Sequence, residues 1–190
     1  LATSPPSFPD QIHFGDDILD FFDYVDIDDT GPDFVLSHEF AHLLQFNLNV
    51  AFERTPESTR KAELMADGLS AYYLAHEDGA AFQNELIEEL TEASFHFGDS
   101  AFDSPGNHGP PNQHKAAAAC GARVAAESKS PILSPAEFVA EFNAHYDTLI
   151  APDSHKVCEN FAVHAQTNVT FDGVTSMIHG GDVNASPGTS

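Results

Sequence analysis

The chain has 190 residues, enough for one well-packed domain, and its 30 Asp and Glu against seven Lys and Arg leave a formal net charge of −23. A surface this acidic repels nucleic acid and anionic lipid, which argues against any phosphate-binding role. No run of residues approaches the roughly 18–20 consecutive apolar positions needed to cross a membrane, so no membrane span is expected.

The elements follow from the amino terminus. Residues 1–10 read as an extended lead-in, rich in Pro and Ser and without the positive charge of a secretory signal. Residues 11–14 alternate apolar and polar side chains like a short strand. Residues 16–25 space Ile18, Leu19, Phe21, Phe22 and Val25 like a short amphipathic helix. Residues 26–31 form an acidic turn that resembles the start of a calcium loop, but the twelfth position, where such a loop needs Glu, is Ser37.

A helix is then predicted with Pro32 and Asp33 in its first turn, and residues 34–48 continue it without Gly or Pro. A second runs from Thr55-Pro56-Glu57 to about His76 and stops at Asp78-Gly79; a third spans 80–97 and ends at Gly98. A Gly/Pro-rich loop covers 99–111, and an Ala-rich helix covers 112–128. Ser134-Pro135-Ala136-Glu137 is a capping box that opens a helix to about Ile150. Farther on, residues 168–178 look strand-like and residues 180–190 look like a flexible tail. The expectation is one mainly α domain over 1–190, α+β with a minor β component.

Cys120 and Cys158 could form one bridge in an oxidising compartment. Asn168-Val169-Thr170 and Asn184-Ala185-Ser186 match the glycosylation acceptor pattern. Together these cues suggest an extracytoplasmic protein. The acidity is compatible with a solvated surface, with adaptation to high salt, with a secreted acidic enzyme or with cationic substrates.

The chemistry concentrates in Ser37-His38-Glu39-Phe40-Ala41-His42-Leu43. Residues four apart share a helix face, so His38 and His42 can reach one metal ion, and imidazole suits Zn²⁺. Glu39 stands beside the first ligand, where a carboxylate can take a proton from water. A third His six residues beyond His42 is ruled out, because positions 45 and 48 are Gln45 and Leu48 rather than Gly and His. The other common solution takes a Glu from a second helix, and Glu63 supplies one. Asp67, one turn further on, can accept a hydrogen bond from a ligand imidazole and so fix its tautomer. The competing reading makes Glu63 and Asp67 a solvated face paired with Arg60 or Lys61.

These residues resemble a gluzincin-like family of neutral zinc metallopeptidases, related in site logic to thermolysin. That family's pattern is an HEFGH-type helix, then a helix reading roughly E-L-Q-A-D, then a downstream His-Gly followed by Gln and Arg. Here the matching residues are His38-Glu39-Phe40-Ala41-His42, then Glu63-Leu64-Met65-Ala66-Asp67, then His108-Gly109 with Gln113. Departures are Ala41 for Gly, Gly68 where Cys is frequent, and His114 for the Arg. The resemblance covers about residues 33–125 and implies a zincin-like fold, zinc held by His38, His42 and Glu63, and peptide or protein substrates.

The expected mechanism has Glu39 as general base and His108 as the donor to the oxyanion, with Tyr72 and Tyr73 as rivals. Two alternatives stand beside it. One is a zinc-containing binding module without turnover; the other is an acidic structural or surface-assembly protein. Nothing in the sequence marks an oligomeric state.

Overall fold

Six helices carry the fold among the described residues of the computed structural model, which are 2–3, 10–13, 15–25, 27, 30–50, 53, 55–99, 104–150, 161–165 and 182–185. The chain divides into two compact units, Leu1–Leu149 and Ile150–Ser190.

In the first unit, β1 (Ala2–Thr3) and β2 (Gln11–Ile12) form a small antiparallel ribbon that lies beside the second helix. Helix α1 (Asp16–Val25) is followed by α2 (Thr30–Asn47), which starts two residues before Pro32. A proline is tolerated there because the first-turn N–H groups have no intrahelical partner. Helix α3 (Pro56–Ala75) is capped by the Thr55 hydroxyl, which accepts from the Ser58 N–H at 3.2 Å.

Helix α4 (Asn84–Phe95) begins four residues later than the sequence suggests. Residues 79–82 instead wind back onto the end of α3. Ala81 takes a left-handed φ of 56°, its N–H donates to the His76 carbonyl, and the Phe82 N–H donates to the Leu74 carbonyl. Helix α5 (Pro111–Glu127) and helix α6 (Pro135–Ile150) follow the expected limits closely. At α6 the capping box is formed in full: the Ser134 N–H donates to Glu137 Oε2 at 2.8 Å, and the Glu137 N–H donates back to Ser134 Oγ at 3.4 Å.

Helix α3 is central, packed by α2, α4 and α5. Its crossing with α5 is close because both helices carry glycine there. A Cβ on Gly121 would overlap the Gly68 carbonyl oxygen, and Phe142 and Phe138 of α6 press on Gly68 from another side. One apolar cluster joins Phe22, Phe34 and Val35 to Ala71, Leu74, Leu90 and Ala118, so α1 to α5 share a core. The mainly α expectation stands.

In the second unit, β3 (Phe161–Ala165) pairs in parallel with β4 (Asp182–Ala185). β4 falls inside the segment read as a tail, because Val183 is its only β-branched residue and offers no alternation to detect. The strand expected at 168–178, Cys158, Asp26, Asp28, Asp29 and most of the lead-in lie outside the described residues. Cys120, the other half of the expected bridge, is buried and has no disulfide partner among the described residues.

Candidate metal centre

Helix α2 sets His38 and His42 one turn apart, their rings nearly perpendicular at 87° with centroids 4.7 Å apart. Phe97 stacks against the His38 ring at 6.5 Å and Phe34 flanks it at 6.2 Å, so an apolar wall limits the imidazole's freedom. Helix α3 brings Glu63 to the same point. The two Nε2 atoms are 3.1 Å apart, and Glu63 Oε2 lies 3.3 Å from that of His38 and 3.5 Å from that of His42.

Those three edges can be compared with a metal's requirement. A tetrahedral zinc ion with bonds of about 2.0–2.1 Å has its ligand atoms roughly 3.3–3.4 Å apart. The triangle brackets that spacing, and one carboxylate with two imidazoles is a donor set zinc favours, so the residues fit the ion. Glu63 does not pair with Arg60 or Lys61 as the competing reading required; Lys61 Nζ sits instead over the Tyr146 ring, 4.8 Å from its centre.

Each imidazole is also held from behind. His38 donates from Nδ1 to Asp67 Oδ1 at 2.8 Å, the contact expected from the sequence. His42 donates from Nδ1 to Gln45 Oε1 at 2.9 Å. The fully buried Gln45 amide has its orientation set by Nε2, which donates to the Ala62 carbonyl at 2.8 Å. With both Nδ1 atoms engaged as donors, both Nε2 lone pairs are available at the centre of the triangle.

The electrostatics follow from burial and charge. Burial pulls the His38 imidazole down, but Asp67 and Glu63 outweigh it and hold its pKa up at about 10. Burial pushes the Glu63 carboxyl up, yet hydrogen bonds to His38 and His42 hold it well below the usual carboxylate range.

Comparison with protein-family models, curated proteins and solved structures finds no match.

The remaining sequence candidates divide. Glu39 lies half-buried on α2, next to His38 in the chain. His108 is exposed in the loop before α5, and its backbone is what the structure ties down: its N–H donates to Asp99 Oδ2 at 2.9 Å. Tyr72 is buried, with its hydroxyl accepting from the Leu133 N–H at 2.8 Å, so it serves the core rather than the site. Tyr73 stands ten residues beyond Glu63, about 15 Å along the helix.

Two residues that the sequence marks only by position, without a role, belong here. One is Gln45. The other is His114, fully buried on α5, whose Nδ1 lies 2.5 Å from Asp67 Oδ2. Periodicity could have placed Gln45 one turn after His42, but only the α2–α3 contact shows what it holds.

Proposed function

We propose that this chain is a zinc-dependent metallopeptidase, with His38, His42 and Glu63 as metal ligands and Glu39 as general base. The observation that carries the reading is the three-atom triangle with edges of 3.1, 3.3 and 3.5 Å. A second support is the pair of buried partners, Asp67 and Gln45, that turn both imidazoles the same way.

Zinc held there supplies a Lewis acid that brings the pKa of water down to about 7. The chain's own groups do the rest. Glu39 accepts the proton of the attacking water and passes it to the amine that leaves. Asp67 and Gln45 keep the imidazoles in one tautomer throughout. The β1–β2 ribbon beside α2 is the candidate edge for an extended peptide to pair with.

The test separates metal from chemistry. Glu63→Ala is expected to lose stoichiometric zinc, measured by elemental analysis of the purified protein. Glu39→Gln is expected to keep zinc and to lose hydrolysis of a quenched-fluorescence peptide library by at least about 10²-fold. A Glu39→Gln variant as active as the parent rules out Glu39 as the base, and a parent chain without zinc rules out the metal centre.

A further inference from the structure

Asp67 is fully buried and carries two imidazoles, one on each oxygen. His38 accounts for Oδ1. On Oδ2 stands His114, also fully buried, and its far nitrogen, Nε2, is 3.0 Å from the His108 carbonyl oxygen. The His108 carbonyl can only accept, so Nε2 of His114 carries hydrogen. Burial pulls this imidazole's pKa down, but Asp67 beside Nδ1 outweighs it and holds the pKa above the ordinary value, which favours a proton on that nitrogen as well.

The His108 carbonyl is itself anchored. Asp99 accepts from the Asn107 side chain at 2.5 Å and from the His108 N–H at 2.9 Å, and the Asp99 N–H donates to the Gly109 carbonyl at 2.7 Å. Gly109 turns the chain with a φ of 109°, where a side chain would also meet Arg60. The loop of residues 104–110 and the metal helix are joined by one continuous run of hydrogen bonds.

We propose that His114 is a positioning residue that clamps Asp67 to the loop backbone at His108, so that the order of the loop and the grip of His38 on the metal are coupled. This rests on the reading of His38, His42 and Glu63 as metal ligands. The physical need for the clamp is clear. Asp67 is fully buried, where a polar atom without a partner is costly, and His114 engages Oδ2 so that Oδ1 is left to His38, whose ring orientation the pair then fixes.

Three measurements on the full chain test this. His114→Gln retains one donor for Asp67 but loses both the charge and the tie to His108. Zinc affinity, read by chelator competition, is expected to fall about 10–100-fold in that variant. Amide hydrogen exchange at residues 107–109 is expected to slow on zinc addition in the parent chain and not in the variant. Imidazole ¹⁵N NMR of the zinc-loaded parent reads the clamp without any substitution: His114 should be protonated on both nitrogens while His38 and His42 are protonated on Nδ1 alone. A bare nitrogen on His114, or a folded Gln variant with parental zinc affinity and loop protection, overturns the clamp. A parent chain that binds no zinc overturns the metal centre beneath it.

Discussion

The Nε2 atoms of His38 and His42 stand at hydrogen-bond distance, 3.1 Å, so in the metal-free chain one of them carries a proton toward the other. The proton has a consequence for stability. The His38 pKa rises from 6.5 to about 10 in the fold, so its contribution is fully present below about 6.5 and is lost as pH climbs through about 10. Glu63 moves down from 4.5, so its contribution is present above that value and is lost at lower pH. The metal-free protein should therefore unfold at its highest temperature between about pH 4.5 and 6.5, with a decline toward alkaline pH that saturating zinc flattens. Thermal unfolding across that range, in chelator and in zinc, checks it; a metal-free curve level up to pH 10 would show that no such proton is held. The pairing of His38 with His42 was legible, because a four-residue spacing on a helix is a local property. Gln45 and His114 were not, since each gains its role from another helix: Gln45 from the Ala62 carbonyl on α3, His114 from Asp67 across the α3–α5 contact.

Helix limits were readable wherever a cap residue stands in the chain: Thr55 before Pro56, Ser134 before Pro135, and the stop after Ala75. The start of α4 was missed because its loop is set by bonds back to His76 and Leu74, not by a local breaker. Helix contacts were hidden for the same reason. Gly121 looks like a weak point in an Ala-rich helix, and alanine there should gain about 1 kcal/mol in helix propensity. The structure reverses that expectation, since the new methyl would meet the rigid backbone of Gly68. Gly121→Ala is predicted to destabilise the protein by about 1–3 kcal/mol net, read from urea unfolding. Gly68→Ala should cost less, because the atoms nearest its Cβ belong to the Phe142 and Phe138 side chains, which can shift. Forcing α5 from α3 also draws His114 away from Asp67, so zinc affinity should drop in the Gly121 variant alongside stability.

Across the whole molecule the dominant force beyond packing is self-repulsion. The first 53 residues contain no Lys or Arg, and the seven cations that follow cannot balance 30 carboxylates. Two of those cations, Lys115 and Arg123, are already engaged in exposed pairs with Glu92 and Glu127, which contribute little individually. The range of the remaining repulsion is set by salt. At about 0.01 M ionic strength the screening length is about 30 Å and the excess of carboxylates as a whole opposes the compact state; at about 1 M it is about 3 Å and only immediate neighbours repel. The unfolding temperature should therefore rise steadily with sodium chloride over that interval, in the metal-free and zinc-loaded forms alike. Zinc affinity should move the other way, because the field that destabilises the fold also attracts a divalent cation to it. Opposite slopes in the two titrations would trace both effects to one charge distribution, whereas an unfolding temperature indifferent to salt would mean that the acidic groups lie too far apart to repel.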